Sequence, residues 1–232
     1  MPSIPRRTML HALLTFVAPA VGFGAAAHAA SMSAADASAG LRQALEQGTV
    51  AAIALLGKPG GFLDNPKVRI PLPGMLDDMA KLARMTGQQG RIDELIAAMN
   101  RAAELAVPEG RAMLVAAARQ LSVQDALRIV QGGDTSVTDY FAAKTRVPLT
   151  ARFKPIVAQT TEQVSLAQKY NALAGKASGF GLLKKEDADL NGYVTGKTLD
   201  GLFLIIGEQE KKLRKDPMAA GSSLVRQLFG AR

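Results

Sequence analysis

The segment DADLNGYVTGKT, residues 187–198, has oxygen-bearing side chains at the spacing of a calcium-binding loop. The side chains at its first three ligand positions are Asp187, Asp189 and Asn191. Such a loop closes with a bidentate Glu, but Thr198 stands at that position and withholds two oxygens and a charge. The Gly-rich residues 175–186 also stand where an entering helix would be needed. We therefore expect no metal here and predict that Asp189 caps a helix.

The same segment nearly spells a nucleotide-binding P-loop, whose pattern is GxxxxGK[ST]. That pattern needs a glycine where Asn191 stands, and no apolar strand precedes the segment. We expect neither a nucleotide nor any other cofactor. Instead, the helix that Asp189 caps should turn Tyr193, Val194 and Leu199 toward the core.

The segment GGDTSVTDYF, residues 132–141, is the stronger candidate for a functional site. It places five polar side chains around one predicted helix start: Asp134, Thr135, Thr138, Asp139 and Tyr140. Free backbone N–H groups there attract anions, which makes Thr135, Thr138 and Tyr140 binding candidates. Asp134 and Asp139 are the catalytic candidates, because a carboxylate can act as a base or share glycoside hydrolysis with a second acid. The structural alternative is that Asp134 only caps the helix.

The segment FLDNPKVRIPLPG, residues 62–74, contains three prolines, which bar a regular helix. Residues that precede proline are pushed toward extended geometry. We therefore predict an extended Pro-rich strap that its apolar side chains hold against the helices. It could also offer Lys67 and Arg69 to a ligand.

The residue types missing from the chain exclude several chemistries. There is no Cys and no Trp, and both histidines, His11 and His28, lie before residue 30. If residues 1–29 are removed, His-based catalysis, nucleophilic Cys, and zinc, copper or haem sites built on His or Cys are excluded. The remaining chain has a net charge of +6, which suits an anionic envelope component. It has no basic run interleaved with aromatic residues, so we expect no nucleic acid.

The first 29 residues have the organisation of a cleaved export signal. Arg6 and Arg7 precede an apolar stretch at residues 9–21, and Ala27-His28-Ala29 is a small-x-small cleavage site. The paired arginines resemble a twin-arginine signal, but general secretion remains an equal alternative. No later apolar run reaches about 18 residues, so we expect no membrane span in the mature chain. These features predict a periplasmic protein that starts near Ala30.

The apolar periodicity of the rest predicts a single all-α globular domain over residues 39–232, with eight or nine helices and a flexible start at residues 30–38. The predicted helices cover residues 39–57, 75–85, 91–106, 108–120, 122–131, a segment from 135, 151–173, 190–215 and 222–229. Pro108 and Thr150 are expected at the starts of their helices. The run LFLII, residues 202–206, is apolar on every face and should be central; a buried strand is the local alternative.

Five of these segments also resemble a family of exported bacterial proteins known only as a domain of unknown function. The resemblance rests on GFLDNPKVRIPLP, MNRAAELAVPEGR, DALRIVQGGDTSVTDYF, FKPIV and YVTGKTLDGLFLIIGEQEKKLRKDP, and covers about residues 41–229. It implies a single envelope-facing domain and supplies no reaction, catalytic residue or ligand.

Three functional hypotheses follow from the sequence. The leading one is a non-enzymatic exported protein that binds an envelope protein or an anionic envelope component. The second is a carboxylate-based hydrolase acting on an envelope polymer through Asp134 or Asp139. The third is a carrier of an apolar ligand inside the helical core.

Overall fold

The computed structural model describes residues 33–76, 80–81, 84–122, 124, 129, 132–165, 168–169 and 189–230. These residues contain six α-helices and no strand, which confirms the all-α prediction. The helices are α1 Ala34–Leu56, α2 Gln89–Glu109, α3 Arg111–Arg119, α4 Ser136–Gln163, α5 Leu190–Lys215 and α6 Ser223–Gly230. This count differs from the eight or nine expected for two reasons. Two predicted helices are joined in α4. The helices predicted at residues 75–85 and 122–131 lie partly outside the described residues, although 80–81, 84–85, 124 and 129 are helical.

Helix α1 begins earlier than the sequence pattern indicated. The Ser33 hydroxyl accepts a hydrogen bond from the Asp36 backbone N–H at 3.0 Å and donates one to the Asp36 carboxylate at 2.6 Å. This reciprocal cap satisfies an N–H group that the first turn leaves without a partner. The expected start at Ala39 and the flexible segment over residues 34–38 are therefore wrong, because Ala37 and Ser38 are already helical and buried.

Helix α4 runs through both of its prolines, Pro148 and Pro155. The prediction that Thr150 starts a new helix is wrong, since its hydroxyl donates to the Arg146 carbonyl within the same helix at 2.8 Å. Each proline removes one helical hydrogen bond, but both lie on exposed positions where water can reach the freed carbonyl. Likewise Pro108 lies in the last turn of α2 and not at the start of α3.

Helix α5 has the predicted bounds, Leu190–Lys215, and the predicted cap. The Asp189 carboxylate accepts from the Gly192 N–H at 2.8 Å. Three basic side chains in the last turn oppose the negative end of the helix dipole, and Pro217 follows. Within LFLII, four side chains are buried, but Leu204 is 46% exposed, so the expectation of burial on every face is wrong at that residue.

Helix α5 is the central element, in contact with α1, α2, α4 and α6. Phe203 meets Phe141 of α4 edge to face, with ring centroids 5.8 Å apart. Gly201 allows the Phe62 ring to approach closely, because a Cβ at residue 201 would lie 2.9 Å from a ring carbon. The buried side chains of these helices form one apolar core.

Residues 57–73 join α1 to a short 3₁₀ helix at Gly74–Leu76. Successive backbone hydrogen bonds fold residues 58–69 into turns, so the predicted extended strap is not confirmed there. Residues 69–73 form neither a helix nor a turn. The expected burial is present at Phe62, Val68, Ile70 and Leu72. Full burial of a side chain such as Phe62 stabilises the fold by about 2–3 kcal/mol.

Two buried polar side chains of α2 hold this segment through its backbone. Asn100 accepts from the Ile70 N–H at 2.8 Å and donates to the Ile70 carbonyl at 2.9 Å. One turn further along, Glu104 accepts from the backbone N–H groups of Phe62 and Leu63 at 3.2 and 3.3 Å. These bonds replace the water that the buried backbone has lost.

Replacement of Asn100 by Ala should lower the free energy of unfolding by about 2–4 kcal/mol, because the buried N–H and C=O of Ile70 both lose their partner. Urea unfolding measures the loss. The matched control is Asn65→Ala, whose side chain accepts one exposed hydrogen bond from Lys67 N–H and should cost less than about 1 kcal/mol. Equal losses in the two variants would show that Asn100 does not hold the segment.

Candidate functional site

The N-terminus of α4, where an anion site was predicted, is occupied by a carboxylate of the same chain. Glu210 of α5 accepts from the backbone N–H groups of Val137 and Thr138 at 3.1 and 2.9 Å, and from the Thr138 hydroxyl at 2.7 Å. Thr138 and Glu210 are both buried. The anion that this helix start attracts is thus an internal one.

A cation completes the buried arrangement. Arg214 donates to Glu210 at 2.9 Å and to the Ser136 hydroxyl at 2.9 Å, and its guanidinium lies 4.8 Å from the centre of the Phe229 ring. The Ser136 hydroxyl in turn donates to the Ile129 carbonyl at 2.8 Å. Glu210 and Arg214 therefore hold α4, α5 and α6 together.

The two catalytic candidates stand apart from this arrangement. Asp134 is exposed and does not cap α4, because the cap residue is Thr135 and no side chain bonds the free N–H groups from that position. Asp139 is also exposed and accepts from the Thr135 hydroxyl at 2.9 Å. The prediction that Asp134 caps the helix is wrong, because Glu210 supplies the acceptor instead.

The calcium-like segment is only partly described, and Asp187 lies outside the described residues. Asp189 pairs with Lys154 of α4 at 2.8 Å in addition to its capping bond. Asn191 accepts from the Thr161 hydroxyl at 2.8 Å. Across the described ranges, no group of three or more Asp, Glu or His side chains could hold a metal ion.

Lys67 and Arg69 lie together on a hollow of about 160 Å³ whose other wall is α5. Lys67 pairs with Glu208 of α5. Lys197 and Asp200 also line the hollow, and Arg146 pairs with Asp200. Lys67 and Lys197 thus face acids of the same chain, whereas Arg69 makes no ion pair within the described residues.

A larger groove, of about 370 Å³, lies between α3 and α4. On the α3 side it is lined by Met113, Ala116 and Ala117, which are three or four residues apart and form one face of the helix. Gln120 and Leu121, directly after α3, extend this side. The small side chains of Ala116 and Ala117 leave the space that larger ones would fill.

Two neighbouring rows of α4 form the opposite side. The first row is Tyr140, Lys144, Pro148 and Arg152, and the second is Phe141, Thr145 and Leu149. Because both rows repeat every four residues, they follow the helix surface side by side. Of these residues, only Tyr140 was a candidate from the sequence. The four-residue spacing of Lys144, Pro148 and Arg152 from Tyr140 could have indicated that they share its side of the helix.

The electrostatics of the groove are one-sided. The described residues of its lining include two cations, Lys144 and Arg152, and no carboxylate. Lys144 lies 5.5 Å from the centre of the Tyr140 ring, and within the described residues Arg152 makes no ion pair. Phe141 and Leu149 are buried beneath the groove, and α3 supplies accessible apolar side chains to its lining.

Fold and site define an all-helical domain with an apolar, cation-bearing groove on its surface. Residues 31–230 match the model of the family DUF4197, described as a protein of unknown function, and the chain belongs to that family. This confirms the resemblance to a family of unknown function. No curated protein and no solved structure matches the chain. Among the described helices, none is both long and apolar enough to cross a bilayer.

Replacement of Glu210 by Ala should lower the free energy of unfolding by about 3–5 kcal/mol, because it leaves Arg214 as an uncompensated buried charge and α4 without its acceptor. The matched control lies two residues earlier on the same helix. Glu208 forms an exposed ion pair with Lys67, and Glu208→Ala should cost at most about 1 kcal/mol. Similar urea midpoints for the two variants would contradict the role assigned to Glu210.

Asp189 gives a pH-dependent prediction. The hydrogen bond from Lys154, followed by that from the Gly192 N–H, lowers the pKa of Asp189. The ionised Asp189 therefore stabilises the folded chain above the pKa that an Asp has in the unfolded chain, about 3.9. This stabilisation is lost as the pH falls through the lowered pKa that Asp189 has in the folded chain. Asp189→Asn keeps a capping acceptor and removes the charge.

At neutral pH this variant should be less stable than the native chain, by less than about 1 kcal/mol since the ion pair is half exposed. Urea unfolding at several pH values should show the difference fading below about pH 4. Asp216→Asn is the control, because Asp216 caps the next helical turn through the Ala219 N–H and lacks an ion pair among the described residues. A difference that persists in acid would exclude the ion pair as its cause.

Proposed function

We propose that the chain is an exported, non-enzymatic binding protein of the cell envelope, and that the groove between α3 and α4 binds an anionic, partly apolar component. The observation that carries the proposal is the lining of the groove. Accessible apolar side chains at Met113, Ala116 and Ala117 lie beside two cations, and the described lining residues include no carboxylate. Binding sites are typically apolar hollows with a few placed polar groups.

The polar groups of the groove suit binding better than catalysis. The Thr145 hydroxyl donates to the Phe141 carbonyl at 2.6 Å, so its proton is already engaged. Within the part of the lining that the structure describes, no His or carboxylate can act as its base. Lys144 and Arg152 are donors suited to a carboxylate, a sulfate or a phosphate.

The cellular setting rests on the N-terminal signal pattern. Arg6 and Arg7, the apolar residues 9–21 and the Ala27-His28-Ala29 site support export. After removal of residues 1–29 the chain keeps a net charge of +6. A basic periplasmic protein has anionic envelope components within reach.

Neither alternative function gains support from a specific contact. The hydrolase hypothesis needs Asp134 or Asp139 in a cleft, and neither lines the groove. The carrier hypothesis needs an apolar cavity in the core of at least about 300 Å³. The hollow beside Glu210 and Ile206 in the core has about 10 Å³, and the groove of sufficient volume carries two charges.

An anilinonaphthalene sulfonate dye, which joins an apolar ring system to an anion, tests the groove directly. It should bind the mature chain, and Lys144→Ala with Arg152→Ala should weaken binding roughly tenfold, as expected for a loss of about 1.4 kcal/mol. Fluorescence titration measures both. The charge-matched control removes Lys211 and Lys212, which are exposed on α5, and should leave the affinity unchanged.

A steric pair of variants gives an independent check. Ala116→Trp should fill the groove and abolish dye binding, whereas Ala112→Trp, one turn earlier on α3 and outside the groove, should not. If removal of Lys211 and Lys212 weakened dye binding as much as removal of Lys144 and Arg152, the dye affinity would depend only on the net charge of the chain. Equal effects of the two tryptophans would place the dye elsewhere. Either result, or no binding by the native chain, would overturn the proposal.

A further inference from the structure

We infer that the occupant of the groove is an acidic amphipathic α-helix of a partner protein. This inference rests on the proposed function and names the class of ligand. It follows from the shape of the groove and the spacing of its two cations.

The groove has the shape that a third helix requires. Its walls are two helices, and its α4 side extends from Tyr140 to Arg152, about 18 Å at 1.5 Å per residue. That length accommodates about three turns of another helix. Ala116 and Ala117 let a partner backbone approach α3, and the rows of α4 provide ridges for its side chains.

The cations set the pattern that the partner must carry. Lys144 and Arg152 are eight residues apart on one row of α4, which places them about 12 Å apart along the helix. Acidic residues seven positions apart on a partner helix lie about 10.5 Å apart on one face. Two such carboxylates could reach both cations while the apolar residues between them face Met113 and Ala117 of α3.

The separation of the two cations favours an extended partner over a small anion. Lys144 and Arg152 both line the groove and lie about 12 Å apart along α4. A ligand with a single acidic group would reach only one of them, whereas a helix lying along α4 brings an acidic residue to each.

A designed peptide of about 18 residues tests the inference. It carries Leu at positions facing the groove and two Glu seven residues apart on the same face. Its control has the same composition with both Glu on the opposite face. Fluorescence anisotropy with the mature chain should show binding of the first peptide at least about tenfold tighter than of the control, because only the first aligns its acids with Lys144 and Arg152.

The dye and the two peptides together separate this inference from the proposed function. If the dye binds the mature chain but the two peptides bind equally, the helix inference is wrong and the proposed function stands. Tighter binding to phosphatidylglycerol vesicles than to the acidic peptide would also overturn it. If neither the dye nor the peptide binds, the proposed function is wrong, and the helix inference that rests on it is wrong as well.

Discussion

The Glu210 carboxylate is the constraint on which the arrangement of the other helices depends. A buried carboxylate is tolerated only if its oxygens are fully engaged, and here they bind the first N–H groups of α4, a hydroxyl and Arg214. These bonds set where α4 begins relative to α5. Because α4 forms one side of the groove, they also set the position of the groove. The N-terminus of α4 is thereby removed from the surface as an anion site.

Buried polar side chains also bind backbone groups at the opposite side of α5. There, side chains of one helix form hydrogen bonds with the backbone of another segment. Asn100 and Glu104 of α2 bind the turns that join α1 to the rest. Helix α3 meets α4 differently: small side chains at Ala116 and Ala117 face two rows of α4 across a gap. Polar contacts therefore fasten the core on both sides, whereas α3 and α4 leave a groove between them.

Features governed by local interactions could be predicted, and those governed by distant ones could not. The bounds of α5 and its Asp189 cap were correct because cap, dipole and proline signals all lie within a few residues of the helix. The expected caps at Asp134 and Thr150 were wrong for a shared reason. The acceptor for the start of α4 comes from Glu210, more than seventy residues away, and burial of Leu149 and Phe153 keeps α4 helical where its sequence suggested a break.

At the candidate site, too, local features could be predicted from the sequence and long-range contacts could not. The amino-acid sequence by itself determined that the chain is all-helical, which catalytic side chains it lacks after residue 29, its basic charge and its family, because composition and short-range order suffice for these. Only the tertiary structure decided which polar residues are engaged and which face solvent. It joined the Thr138 hydroxyl to a buried carboxylate, left Asp134 and Asp139 outside the groove, and set Lys144 and Arg152 against α3. Those outcomes depend on which helices pack together, and packing is decided by the summed burial of the core and not by any local pattern.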